Sequence, residues 1–325
     1  MSTSSLISSL LGAALLTSLA PAAHADDAKP AKDAPPTMAA VMESATDADW
    51  RDVDPNNTLY MDLPTGRVLI ELAPQFAPNH VANLRVMAHE HYFDGLAILR
   101  SQDNYVVQWG DPKAESAADD DNPPKSLGNA KARLEGEYFR RAAGLPFTPL
   151  TDPDSYAAEV GFSDGFPVGR DGKDGRAWLA HCYGMVGAGR GNESDSGSGT
   201  ELYAVIGQSP RHLDRNVTLL GQVWTGMELL SVQPRGSGPL GFYAGKETGM
   251  PILSVKLASD VPEAERVPLQ VMRTDSAIFK QLIEARRTRN EEWFLDPAGH
   301  ISVCNLPIPV RLKPAPADSV APAKA

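Results

Sequence analysis

The first sustained pattern along the chain has a period of two. Apolar and other residues roughly alternate through Leu59-Tyr60-Met61-Asp62-Leu63. Pro64-Thr65-Gly66 supplies a turn, and Val68, Ile70 and Leu72 share one face of the return, which together predict a β-hairpin. The period then lengthens. In residues 78–93 (PNHVANLRVMAHEHYF) Val81, Leu84, Ala88 and His91 fall on one helical stripe, with Pro78 suited to a first helical position and Asp94-Gly95 as the stop. Further strands are predicted at about 96–100, 105–108, 179–186, 201–206, 218–224 and 251–257, and a short helix at 226–232. Residues 275–293 read as an amphipathic helix with Ile278, Leu282 and Ala285 inward. Many short strands and few helices predict a mainly β fold, a barrel or sandwich and not a βαβ array.

The pattern breaks down in three places. Residues 6–19 (LISSLLGAALLTSL) form an apolar run followed by Pro21 and Ala23-His24-Ala25, the pattern of a secretory signal peptide over residues 1–25. The first five residues carry no Lys or Arg, so only the α-amine supplies positive charge. The expectation is export to the periplasm or secretion, with no lipid-attachment cysteine after the run. Residues 26–45 and 311–325 are rich in Ala and Pro and read as a flexible leader and a disordered tail. Residues 112–176 hold no strong periodicity and include an acidic stretch, Glu115 to Asp121, so they read as an insertion at the surface.

Composition narrows the function classes. The chain has 325 residues, with 30 Lys plus Arg against 41 Asp plus Glu, a formal charge of −11. No basic cluster stands out, which argues against a nucleic-acid partner held through phosphates. No apolar run reaches the roughly 20 residues of a membrane-spanning helix. At 42% hydrophobic and 22% charged, the chain has globular proportions. The two cysteines, Cys182 and Cys304, either pair in an oxidising compartment or stand as separate buried thiols.

Most catalytic templates are absent. There is no Gly-x-x-x-x-Gly-Lys-[Ser/Thr] loop, no Gly-x-Ser-x-Gly elbow and no Cys-x-x-Cys. Gly184 to Gly191 (GMVGAGRG) is glycine-rich, but no helix pattern follows it. His89 and His91 are two apart and do not share a helix face, so they do not read as metal ligands. One distinctive stretch remains, Arg100 to Asp111 (RSQDNYVVQWGD).

That stretch resembles the cyclophilin-type peptidyl-prolyl isomerases, whose Arg, four residues, Phe-Met, one residue, Gln-Gly-Gly-Asp is matched by Arg100, Tyr105-Val106, Gln108 and Gly110-Asp111. The resemblance continues in order on both sides. RVLIELAPQFAPNHVANL looks like the family's second strand and first helix, and GMVGAG resembles its Ser-Met-Ala-Asn-Ala-Gly. Gly199-Thr200-Glu201-Leu202-Tyr203 resembles Gly-Ser-Gln-Phe-Phe, and Leu213-Asp214 through Gly221-Gln222-Val223 resembles Leu-Asp through Phe-Gly-x-Val. The likeness covers about residues 58–258, interrupted by the insertion.

The resemblance implies a closed eight-stranded antiparallel β-barrel capped by two helices over residues 46–262, with residues 263–310 as a C-terminal helical extension. It implies cis–trans isomerisation of X–Pro bonds in exported polypeptides, with no cofactor and no metal. Arg100 would be the electrostatic catalyst and Gln108 would hold a substrate backbone group. Tyr105, Val106, Tyr203 and Leu213 would form the pocket for the proline ring. Several positions depart from the family. Glu201 replaces a substrate-binding Gln, exchanging a donor-bearing amide for an acceptor-only anion. Val186 and Gly187 stand for the Ala-Asn whose backbone binds peptide, Val217 for a pocket His, and His212 for a Trp found in some members. The rival reading is a chaperone that binds proline peptides in the same groove without accelerating rotation.

Overall fold

The computed structural model describes residues 35–114 and 123–314. The signal segment, the leader as far as residue 34, the acidic stretch Glu115 to Asp121 and residues 315–325 lie outside the described residues. A short helix, α1 (Met38–Glu43), opens the described chain, capped by Thr37, whose Oγ1 accepts from the Ala40 N–H at 3.3 Å. Over residues 38–43 this corrects the expected flexible leader. Val41 is buried and joins the core, an anchor too short for a periodic pattern to reveal.

β1 (Trp50–Asp52) precedes the expected hairpin, β2 (Thr58–Leu63) and β3 (Gly66–Leu72), which pair from Thr58 with Glu71 to Leu63 with Gly66. α2 (Pro78–His89) buries Val81, Leu84 and Ala88 as the stripe requires. His91 falls beyond the helix end, with φ at 56°, and is exposed. β4 (Ala97–Ser101) and β5 (Val106–Gly110) follow.

The insertion is not a loop. It contains β6 (Arg140–Arg141), β7 (Thr148–Leu150), β8 (Glu159–Ser163), β9 (Phe166–Arg170) and β10 (Arg176–Leu179). These make a separate five-stranded sheet in the order β6-β10-β9-β8-β7. The strand expected at 179–186 is therefore two elements, because β10 ends at Leu179 and the main sheet resumes with β11 (Met185–Ala188). β12 (Glu201–Val205), β13 (Leu219–Thr225), α3 (Met227–Ser231) and β14 (Ser254–Leu257) complete the main sheet and its second helix. Its order is β14-β2-β3-β13-β11-β12-β5-β4, antiparallel throughout.

The resemblance implied a closed barrel; the sheet is instead a curled half-barrel. Its edge strands β14 and β4 are not laddered together. A short bridge from Ala97 to Pro251, just ahead of β14, connects them, with the Ile98 N–H donating to the Met250 carbonyl at 2.9 Å and the Ile252 N–H to the Leu96 carbonyl at 2.8 Å.

The remaining chain is of mixed structure. β15 (Leu269–Met272), α4 (Ala277–Thr288) and β16 (Val310–Leu312) follow in order. β15 pairs with β1 on one side and β16 on the other, so both ends of the described chain share one small sheet. Residues 310–312 are thus strand, where a disordered tail from 311 was expected. Cys182 and Cys304 form a disulfide, which resolves the two readings in favour of the pair.

The main sheet is buried on both faces, and the alternation of its strands sorts the residues between two cores. Met61, Ile70, Val107, Trp109, Leu202 and Ala204 pack on one face with Val81 and Leu84 of α2 and Leu230 of α3. Their neighbours in sequence, Tyr60, Leu69, Val106, Tyr203 and Val205, pack on the other face. That second core also holds Phe162, Phe166 and Leu179 of the inserted sheet and Phe279 and Leu282 of α4.

Candidate active site

A β-strand alternates its side chains, so residues paired straight across neighbouring strands project to the same side. Arg100 of β4 pairs with Gln108 of β5, and Gln108 pairs with Tyr203 of β12. The row continues to Gly187 of β11 at one end and, through an isolated bridge, to Phe242 at the other. It lies on the face that carries Val106 and Tyr203, not on the helix-covered face.

Over this row opens a cleft of about 530 Å³. Arg100, Tyr105, Val106, Gln108, Glu201, Tyr203, Leu213 and Val217 all line it, so eight residues singled out in the sequence meet in one place. Gly189, Arg190, Gly191, Pro112, Leu240 and Phe242 complete the wall.

Arg100 is clamped. Its Nε–H donates to the Leu240 carbonyl at 2.7 Å, one Nη donates to Gln108 Oε1 at 3.1 Å, and the other donates to Gln102 Oε1. The guanidinium also lies over the rings of Tyr105, at 5.5 Å, and Phe242, at 5.1 Å. Burial draws its pKa down, while Tyr105 and Glu201 pull the other way. An arginine still keeps its charge here. Three of its roughly five N–H groups are engaged by these partners. Gln108 is fixed from both ends, its Oε1 by Arg100 and its Nε2–H by Glu201 Oε2. Burial pushes the Tyr105 hydroxyl up, so it stays protonated at neutral pH.

Three expected residues sit elsewhere. Val186 is fully buried in the helix-covered core, which removes its side chain from the cleft. Gly187 lies beneath Tyr203, and a Cβ there would come within 2.4 Å of the tyrosine ring and hydroxyl. Its role is therefore to admit the ring, and the cleft wall is formed by Gly189 to Gly191 just beyond. His212 is exposed and stacks on Tyr105, with ring centroids 6.4 Å apart and planes 7° from parallel.

Other site residues were missed in the sequence. Gly189 to Gly191 had a signal, since they end the glycine-rich run already noted. Leu240 had none: it reaches Arg100 from 140 residues away and in a left-handed conformation, φ 57°. Among the described residues, no group of three or more His, Cys, Asp and Glu is placed to hold a metal ion. None of the described helices is long and apolar enough to cross a membrane.

Comparison with known proteins follows this geometry. A probable peptidyl-prolyl cis-trans isomerase of Brucella suis is 38% identical over 60 residues, which cover 18% of this chain and 31% of that protein. Its counterpart in Brucella abortus is 37% identical over 60 residues. The chain thus spans about a third of the length of these curated relatives. Among solved structures, cyclophilin AquaCyp293 from Hirschia baltica is similar at 25% identity and a TM-score of 0.62, covering 82% of this chain and 95% of that one. The model of the cyclophilin type peptidyl-prolyl cis-trans isomerase family matches residues 58–236, more than half the chain, from β2 past the last cleft-forming strand. By that match, this chain belongs to the cyclophilin-type peptidyl-prolyl cis-trans isomerase family.

Proposed function

We propose that this protein accelerates cis–trans rotation about X–Pro bonds, with Arg100 as its catalytic group. The observation that carries the reading is a half-buried, fixed guanidinium at the edge of an apolar pocket formed by Tyr105, Val106, Tyr203, Leu213 and Val217. Rotation about the bond faces a barrier of about 18–20 kcal/mol, set by C–N double-bond character. A cation aimed at the imide favours the twisted state, in which the nitrogen lone pair is no longer delocalised. No nucleophile or cofactor is needed. The apolar pocket takes the proline ring, and Arg100 stays in place because Leu240, Gln102 and Gln108 hold it before substrate arrives. That preorganisation is what makes an electrostatic contribution effective.

Gln108 is the second group of the proposed site. Clamped between Arg100 and Glu201, it offers a fixed amide for a substrate backbone group, and Glu201 adds an acceptor at the cleft wall. The proposed clients are proline-containing exported polypeptides. The apolar N-terminal run supports this setting, as does the Cys182–Cys304 disulfide, which forms and persists in oxidising compartments.

The test is relaxation of an X–Pro tetrapeptide from cis to trans, comparing the protein with its Arg100→Ala variant. Acceleration that falls at least about tenfold in the variant is expected, the loss of one preorganised electrostatic contact. A folded wild type that binds the peptide yet leaves its relaxation rate unchanged would replace the enzyme with a binding chaperone.

A further inference from the structure

Behind the cleft runs a chain of buried polar groups that the proposed chemistry does not use. Tyr203 lines the cleft with its ring, but its hydroxyl lies 2.9 Å from His181 Nε2, in the interior. His181 is completely buried. Its Nδ1 lies 2.9 Å from Asp214 Oδ1, which also accepts the His181 backbone N–H at 2.9 Å. The other carboxylate oxygen accepts from Arg211 Nε at 2.5 Å and from Trp178 Nε1 at 3.3 Å. A carboxylate only accepts, so His181 carries its proton on Nδ1, and Nε2 accepts from the tyrosine O–H.

The chain does not stop at the main sheet. Arg211 donates two further bonds to Asp154, at 3.0 and 3.1 Å. Asp154 and Trp178 both belong to the insertion. Asp214 also anchors the loop that carries Leu213 and Val217 to the cleft wall and His212 onto Tyr105. The same carboxylate thus fixes the cleft floor through His181 and Tyr203, and one wall through its own loop.

Resting on the isomerase reading, we infer that His181 and Asp214 are positioning residues of the groove, through which the inserted sheet sets the shape of the proline pocket. Neither touches substrate, and both act through Tyr203 and the 211–217 loop. A polar strut suits this task better than an apolar contact. A buried hydroxyl and imidazole that lose each other leave unsatisfied groups, so the ring has one favoured seat.

The mildest probe is Tyr203→Phe, which keeps the ring and removes the bond to His181. His181→Asn is the second, since its amide still offers Asp214 a donor but no longer reaches Tyr203. Each variant and the double variant would be assayed for X–Pro tetrapeptide turnover and for affinity for the same peptide by NMR titration. Near-UV circular dichroism would verify packing. Each single variant is expected to lose about fivefold in kcat/KM, the scale of one hydrogen bond. The loss should fall in KM and peptide Kd, with kcat nearly unchanged because Arg100 is untouched. The double variant should lose no more than either single one, since both remove the same bond. Asp154→Ala should weaken peptide binding about threefold by releasing Arg211.

Folded single variants with wild-type turnover and affinity would overturn the inference, as would losses that multiply in the double variant. A wild type that binds the peptide but does not turn it over would remove the isomerase reading alone, and the Kd series would still decide the positioning role. A wild type that does neither overturns both.

Discussion

The two faces of the main sheet each carry a buried core, but the cores are built by different means. On the helix-covered face, Met61, Ile70, Val107 and Trp109 meet α2 and α3, elements that stand close in sequence to the strands they cover. On the groove face, Tyr60, Leu69 and Val205 meet Phe162 and Phe166 of the inserted sheet and Phe279 of α4. Phe162 and Phe279 touch edge to face, their centroids 5.2 Å apart. An insertion and an extension, which meet through those rings, have closed over the side of the sheet that carries the cleft. The lesson is that the extra segments are structural partners of the site, not ornaments on a finished domain.

The comparison is broken most directly by removing one large side chain from each face. Phe162→Ala should destabilise the protein by about 3–5 kcal/mol and Met61→Ala by about 2–5 kcal/mol. Both side chains are almost fully buried, and both cores include residues of the same strands. Urea unfolding should therefore show one transition in each variant, moved to lower denaturant. Two separated transitions in Phe162→Ala would show that the groove-face cover is an independent unit.

The disulfide gives the next effect. Cys182 precedes β11, and Cys304 belongs to the segment that follows α4, so the bond ties the extension to the main sheet across 122 residues. A cross-link of that span restricts the unfolded chain, worth about 2–4 kcal/mol in typical proteins. The Cys182→Ser, Cys304→Ser double variant should lose that amount, and reductant should do the same to the wild type. An unchanged urea midpoint would mean that packing alone holds the extension.

How much of this was legible follows the same division. The hairpin, α2 and the Arg100 to Asp111 stretch could be read because each is local: a period, a cap or a motif within a few residues. The inserted sheet could not. Its strands run two to five residues, and Pro149 and Pro167 sit inside two of them, where a proline argues against a strand. Leu240 at Arg100 and Asp154 at Arg211 are distant in sequence from the groups they bind, and nothing in their surroundings announces the contact. Gly187 was legible as a departure from the family pattern, but not for what its missing side chain does in the core. The absence of a side chain there makes room for a ring, which only the packing reveals.

That packing yields a smaller effect. Gly187→Ala puts a methyl group against a tyrosine ring whose hydroxyl is held by His181, so the ring cannot simply swing aside. Overpacking of this kind costs about 1–3 kcal/mol. Turnover should fall with it, and pairing the change with Tyr203→Phe should recover part of the loss, because the ring is then free to move. No recovery would place the strain in the backbone of β11.

The smallest effect separates the faces by pH. Burial holds His181 below its ordinary pKa of 6.5, against the pull of Asp214 and with Arg211 and His212 nearby. In the unfolded chain that histidine takes a proton near its ordinary value, whereas in the folded chain it does so only at lower pH. Between the two, the unfolded state binds more protons, so stability must fall as pH drops below about 6.5. Asp214 acts in a lower window. Burial pushes its carboxyl up, but the hydrogen bond from His181 and the charge of Arg211 outweigh it, so its contribution is lost only as pH falls below 3.8. Urea unfolding between pH 8 and 5 should show a decline in the wild type that His181→Asn removes, with the other histidines common to both proteins. Equal slopes would mean that His181 changes its protonation no differently on folding, and the groove face would then have no acid-sensitive strut of its own.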